Sequence, residues 1–315
     1  MSRSIAFRCD GGHEVGAGHV ARCLPLAQAF VERGWAPVMV GRYDGLAGWM
    51  IDRAGLPVSP PGDGPAGLAP AGGWAAAIVD SYSIPEAEVC ALAGSLAVAT
   101  LGEATCCPDR GVVVDYHLDA NAEASTPRRL AGGAFALVDP AFAAFRRDRE
   151  PVCAALITVG GSSAAAALVP RLVEGVRRAF GDVRVLVSAA GAVPDEQDVE
   201  RLPFPGTLLD AVGAVDIACS GAGVTAYELA CAGVPSVVVA LAGNQRRVLR
   251  GCVRAGTAIG VDAIGGLDPA GLDAALAELA RPERRRALAA AGPLAIDGDG
   301  ARRTAGALLE RWFAA

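Results

Sequence analysis

Residues 4–26, SIAFRCDGGHEVGAGHVARCLPL, hold the first side chain placed for chemistry. His19 follows a loop containing Gly11, Gly12, Gly16 and Gly18, and it is one of three histidines in 315 residues. Imidazole titrates near neutral pH and can serve as a general base. The apolar run Ile5-Ala6-Phe7 reads as a strand, and the segment beginning at His19 reads as a helix that buries Leu24, Leu26 and Phe30. A strand, a glycine-rich turn and a helix N-terminus form a corner suited to anions, because the first helical N–H groups lack intrahelical partners. Glycine lets backbone approach a ligand without an intervening Cβ. A plain glycine turn with a helix-capping histidine is the structural alternative.

A second constellation lies at 217–245. A strand ends near Cys219, and Ser220-Gly221-Ala222-Gly223-Val224-Thr225 then turns into a helix that contains Glu228. Backbone N–H groups and the Thr225 hydroxyl there suit a diphosphate. Glu228, three residues after Thr225, shares its helical face and can accept both hydroxyls of a ribose. A turn with an exposed glutamate is the alternative. Gly243-Asn244-Gln245 opens another helix, where the amides can meet sugar hydroxyls or where Asn244 simply caps the helix. Gly160-Gly161-Ser162-Ser163 offers a further phosphate contact after the strand at 153–159.

The elements that must position these groups alternate strand and helix. Strands are expected at 4–9, 36–41, 76–80, 96–101 and 111–115, then at 153–159, 183–188, 215–219 and 235–240. Their apolar runs are continuous, as in parallel sheets covered on both faces. Helices are expected at 19–33, 44–54, 85–94, 164–179, 208–213, 223–232, 245–255, 269–279, 281–292 and 300–313, and the Pro/Gly-rich stretch 59–73 reads as loop. The charged stretch 139–152 carries no strand pattern and reads as the boundary between domains 1–145 and 146–315, with the last helix free to cross back onto the first. Two doubly wound halves would place ligands in a cleft at the carboxyl ends of both sheets.

Composition removes several function classes. All 28 cationic residues are arginine. Without lysine there is no Schiff-base catalysis, hence no ordinary pyridoxal-phosphate or class I aldolase chemistry, and no P-loop lysine. A net charge of −6 with no long basic run argues against nucleic-acid binding. No apolar stretch reaches the ~18–20 residues of a membrane span, and no signal peptide is evident, so a cytoplasmic protein is expected. The nine cysteines form no C-x-x-C pair and read as reduced and structural; redox activity is the alternative for the adjacent Cys106-Cys107, though no histidine or metal-ligand spacing supports it. His13 reads as exposed, and His117, beside Asp115 and Asp119, as a solvated turn rather than a metal cluster.

The run G-x-G-H-x-x-R-C-L at 16–24 resembles the N-terminal signature of nucleotide-sugar hydrolases of the pseudaminic-acid pathway and of the related spore-coat polysaccharide proteins. Both groups are similar in fold to the GT-B glycosyltransferases that add N-acetylglucosamine to peptidoglycan precursors. The resemblance continues through VDSYSI at 79–84, FALVDPAF at 135–142, ITVGGS at 157–162, SGAGVTAYELA at 220–230 and GNQ at 243–245, ending near residue 262. It implies an α/β fold of GT-B type, with an N-terminal acceptor domain and a C-terminal nucleotide-sugar domain. It also implies His19 as catalytic histidine, Tyr82 as an active-site tyrosine and Asn244 as a polar residue near the leaving diphosphate. The nucleotide-sugar site would comprise Gly16, Gly18, Gly160, Gly161, Ser162, Ser220, Gly221, Gly223, Val224, Thr225, Glu228, Asn244 and Gln245. The run Leu101-Gly102-Glu103-Ala104-Thr105 departs from the paired aspartates common in the hydrolases.

Three readings follow. One is a metal-independent, cofactor-free transferase moving sugar from a UDP-sugar to a small acceptor, such as a nucleobase or other natural-product precursor. The second is a hydrolase using water on the same bond. The third is a non-catalytic nucleotide-sugar-binding protein, against which the pairing of His19 with Glu228 argues. The changed 101–105 segment favours transfer.

Overall fold

A computed structural model of the chain describes residues 3–13, 15–68, 73–102, 111–121, 123, 125–160, 167–189, 199–206 and 208–313. The chain divides into two compact units. Unit 1 comprises Met1–Leu137 with Asp299–Ala315, and unit 2 comprises Val138–Gly298.

Unit 1 is built on seven parallel strands: β1 (Ser4–Cys9), β2 (Ala36–Val40), β3 (Val58–Ser59), β4 (Ala76–Asp80), β5 (Ala97–Leu101), β6 (Gly111–Asp115) and β7 (Arg129–Ala131), in the order β3-β2-β1-β4-β5-β6-β7. Every residue of β4 and β6 is buried, as their unbroken apolar character requires. Helices α1 (Gly18–Val31), α2 (Gly45–Ala54) and α3 (Glu86–Ala93) connect the strands. Chain order reverses between β1 and β4, whose carboxyl ends pair as Cys9 with Asp80. In such sheets this switch point is where ligands bind.

Unit 2 has six parallel strands: β8 (Ala154–Gly160), β9 (Arg184–Ala189), β10 (Val199–Arg201), β11 (Ile217–Gly221), β12 (Ser236–Ala240) and β13 (Ile259–Asp262), in the order β10-β9-β8-β11-β12-β13. Its helices are α4 (Val169–Phe180), α5 (Leu208–Val212), α6 (Val224–Cys231), α7 (Arg246–Arg254), α8 (Pro269–Leu279) and α9 (Pro282–Ala295). Leu172 and Val176 of α4 and Leu272 and Leu276 of α8 pack in one core with Ile157, Val185 and Val237 of the sheet. Each such side chain contributes about 1.5–3 kcal/mol on burial. The switch point here lies between β8 and β11.

The closing helix α10 (Gly300–Phe313) belongs to unit 1. Trp312 stacks on Phe30 and Phe313 on Trp35, and Arg302 pairs with Glu32 at 2.9 Å. The units divide at residue 137, ahead of the expected boundary at 145, and the reason is chemical. The arginines of the charged stretch are anchors within unit 2 rather than linker residues. Arg149 donates to the carbonyls of Phe145, Val212, Val215, Ala232 and Gly233, and Arg146 to those of Cys231 and Asp297. The short strands β3, β7, β10 and β13 were not expected, since two to four residues carry too little pattern to read. Residues 161–166, at the expected start of the helix at 164, lie outside the described set.

Candidate functional site

In unit 1 the glycine loop is a closed structure. Gly12 N–H donates to Gly16 O at 3.1 Å and Gly16 N–H returns to Gly12 O at 2.7 Å. Gly16 has φ +79°, a left-handed conformation that favours glycine. The Asp44 carboxylate accepts from His13 N–H at 2.8 Å and pins the loop to the start of α2. A Cβ on Gly12 would collide with that carboxylate. The Gly16 amide is therefore spent on the loop, and Gly18 opens α1, whose first turn has no side-chain cap. His13 is exposed, as its place in the loop implies.

This loop delivers His19 into a buried cluster. The ring is 3 % exposed and Asp80, at the end of β4, is 2 % exposed. His19 Nδ1 lies 2.9 Å from Asp80 Oδ1 and 2.7 Å from Arg22 Nη2. Arg22, one turn along α1, donates from Nη2 to Asp80 Oδ1 at 2.8 Å, with its Nε 2.6 Å from Oδ2. A guanidinium only donates and a carboxylate only accepts. With Arg22 already engaged by Asp80, a proton on Nδ1 directed at Asp80 Oδ1 leaves Nε2 as the basic atom, and Nδ1 and Arg22 Nη2 then donate side by side to that one oxygen. That Nε2 has no protein partner among the described residues. Burial alone would push the Asp80 carboxyl up, but Arg22 and His19 together hold it below the ordinary carboxylate value. Asp80 is thus a fixed anion that orients the imidazole and stabilises it when protonated.

Tyr82 stands over this pair. Its ring meets His19 edge-on at 4.8 Å between centroids, and it is 70 % exposed. The Ser81 hydroxyl shapes the turn that presents it, accepting from the amides of Ser83 at 3.1 Å and Ile84 at 3.3 Å. Asp80 and Arg22 were not among the expected site residues. Their signal was present in the carboxylate that ends the apolar run AAIVD and in an arginine three residues after His19.

In unit 2 the expected residues that are described follow the carboxyl ends of three neighbouring strands, β8, β11 and β12. Gly160, with φ +89°, ends β8, whereas Gly161, Ser162 and Ser163 lie outside the described residues. Ser220 is 0 % exposed and donates to Gly221 O at 3.3 Å, so its hydroxyl serves the turn itself. A Cβ on Gly221 would press on Val159 O at 3.3 Å, so the two strand ends approach closely. Gly223 is the N-cap residue of α6 and has open space where a Cβ would stand. No side chain caps α6, so the amides around Val224 and Thr225 face outward from its positive end. Thr225 lies close enough to Glu228 to favour its charged form. Gln245 accepts from Leu241 N–H at 2.7 Å through Oε1 and so shapes the loop after β12, leaving Asn244 exposed at its tip.

Glu228 is partly buried, and desolvation, with Asp139 nearby, pushes its carboxyl from 4.5 up to about 7 against the opposing influence of Thr225. The folded chain therefore keeps a proton that the unfolded chain releases between pH 4.5 and 7. This contribution to stability is complete below 4.5 and is lost as the pH rises through about 7. The loss should be about 3 kcal/mol. Glu228→Gln, which mimics the protonated form, should flatten the dependence. Thermal melting of both proteins from pH 5 to 8 checks this, and parallel curves would refute it.

His117 differs from the solvated turn expected of it. It is 7 % exposed, and its Nδ1 lies 3.0 Å from Asp115 Oδ1. Among the described residues no cluster of three or more His, Cys, Asp or Glu is placed to hold a metal ion. Of the described cysteines Cys9, Cys23, Cys219, Cys231 and Cys252 are buried thiols and none is in a disulfide, while Cys106 and Cys107 lie outside that set, as do Glu103, Ala104 and Thr105. No helix among the described residues is long and apolar enough to cross a membrane.

No protein-family model matches the chain, and no curated protein is significantly similar to it in sequence. Solved structures are similar in fold over nearly the whole length. The glycotransferase of kitacinnamycin superposes with a TM-score of 0.66 at 16% identity, covering 99% of this chain and 100% of that one. MurG of Acinetobacter baumannii gives 0.64 at 14%, covering 98% and 99%. A putative UDP-N-acetylglucosamine 2-epimerase from Listeria monocytogenes gives 0.63 at 11%, covering 100% and 98%. The two parallel-sheet units and these superpositions show that the chain has a GT-B-type α/β fold.

Proposed function

We propose that the protein is a UDP-sugar-dependent glycosyltransferase with a small-molecule acceptor. The observation that carries this reading is the His19–Asp80 pair at the switch point of unit 1, which leaves an imidazole Nε2 without a protein partner. The glycotransferase of kitacinnamycin, similar in fold, supports it, as does the resemblance of 16–24 to nucleotide-sugar enzymes.

In this reading unit 2 holds the nucleotide. The uncapped start of α6 stabilises the diphosphate, and Glu228 takes the ribose hydroxyls. Asn244, exposed at the tip of its loop, contacts the leaving diphosphate. Unit 1 supplies the proton transfer. His19 Nε2 removes the proton from an acceptor O–H or N–H as that atom bonds to the anomeric carbon. The bond from that carbon to the phosphate oxygen breaks, and UDP leaves with the electron pair. Asp80 stabilises the resulting imidazolium, and Tyr82 orients the acceptor or the sugar. Charge on the diphosphate is met by helix amides, so no divalent ion is required. The only Asp-x-Asp sequence, Asp297-Gly298-Asp299, lies outside the resembling region.

Incubation of UDP-sugars with cytosine, uracil, adenine, guanine or catechol, with and without EDTA, tests the reading. UDP release should depend on an acceptor and should survive EDTA. Release at full rate in buffer alone would show the hydrolase instead. Loss in EDTA restored by magnesium or manganese would overturn metal independence.

A further inference from the structure

The mechanism above leaves a second buried dyad unused. His117 and Asp115 stand at the end of β6, and Arg129 of β7 ion-pairs with the other Asp115 oxygen, Oδ2. Asp115 is fully buried, so its negative charge is balanced by these neighbours. The carboxylate fixes the proton of His117 on Nδ1. Nε2 then has no protein partner among the described residues, the same state as in His19.

The two dyads lie at the carboxyl edge of one sheet, where strand alternation starts Asp80 and Asp115 from opposite faces and the chain runs on past β6 through Tyr116 to His117. β4 and β6 flank β5, with Val79 opposite Thr100 and Leu101 opposite Val114. Asp80 and Asp115 are thus two strands apart, on the order of 10 Å at the usual strand spacing. They are joined by a continuous layer of side chains. Arg22, paired with Asp80, lies over the Tyr116 ring at 5.7 Å, and that ring stacks on His117 at 4.5 Å with 22° between planes. A charged group buried only to hold β7 would need Asp115 and Arg129. It would not need an imidazole whose second nitrogen is left unused.

We propose that His117 is a second acceptor-contacting residue, held by Asp115 and Arg129, whose Nε2 accepts a hydrogen bond from an N–H or O–H of the acceptor. The inference rests on the transferase reading. The acceptor it implies is a small molecule with two hydrogen-bond donors, one giving up its proton to His19 and the other anchored by His117. His117 positions the acceptor and takes no proton in the reaction.

With three histidines in the chain, ring-nitrogen NMR of the whole protein can follow each one, assigned by H13Q and H19Q. The UDP-saturated protein is titrated with cytosine, uracil, adenine, guanine and catechol. The compound that supports turnover should shift the Nε2 signals of both His19 and His117, and UDP alone should shift neither. In kinetics H117A should raise the KM of that acceptor roughly ten- to hundredfold with a smaller change in kcat. H117Q, which keeps an acceptor atom near the Nε2 position, should recover part of the loss. UDP affinity and thermal melting report folding of both variants. A turnover-supporting compound that leaves the His117 signal unmoved, or an unchanged acceptor KM in folded H117A, overturns the assignment and leaves the transferase intact. Acceptor-independent UDP release by the unaltered protein overturns both, and that result appears before any variant is made.

Discussion

His19→Asn should lower turnover roughly 10²–10⁴-fold while leaving UDP affinity unchanged. Asparagine suits the test because its amide nitrogen stands near the place of Nδ1 and can still donate to Asp80, now 2.9 Å from that atom. The buried carboxylate and its Arg22 partner stay satisfied, so the expected change is confined to Nε2. A substitution that removed the Asp80 contact would confound catalysis with stability, because it would disturb a buried ion pair. UDP binding is assigned to unit 2, and its affinity therefore serves as the control for folding. Steady-state kinetics and calorimetry with UDP decide the matter. Near-normal turnover by a well-folded variant would shift the base to Tyr82 or to the substrate itself. Loss of folding would make His19 a structural histidine.

The features that could be read from the chain share one property: they are announced by local spacing. Gly16 and His19 lie within four positions, and Thr225 and Glu228 within one helical turn, so the glycine turns, the helix starts and the shared face were all legible. Strands β1, β4 and β6 were read at their observed limits because each is a continuous apolar run buried on both faces. Asp80 was not recognised, since its partner Arg22 lies 58 residues away and the two meet only because β1 and β4 pair at the switch point. His117 was misread for a related reason. Three charged or polar neighbours in a row resemble a solvated turn until the pairing of β6 with β7 brings Arg129 to Asp115. Ser220 shows what spacing leaves open, since its hydroxyl lies beneath the glycine turn and donates to Gly221 O.

Glu228→Ala should weaken UDP binding ten- to hundredfold, the equivalent of losing a charged hydrogen-bond partner worth about 1.5–3 kcal/mol. Two features make the effect large. The carboxylate can accept from both ribose hydroxyls at once, and α6 fixes it on the face that carries Thr225 one turn nearer the helix start. The raised carboxyl adds a signature that mere loss of packing would lack. A ribose that binds the ionised form must displace the proton held up to about 7, so affinity should rise with pH toward that value and then level. A UDP-sugar is the proper ligand for this measurement, because its bridged diphosphate does not itself titrate near neutrality. The alanine variant should bind weakly at every pH with no such slope. Equal affinity of the two proteins by calorimetry would remove Glu228 from the site. A weaker but equally sloped variant would place the titrating group elsewhere.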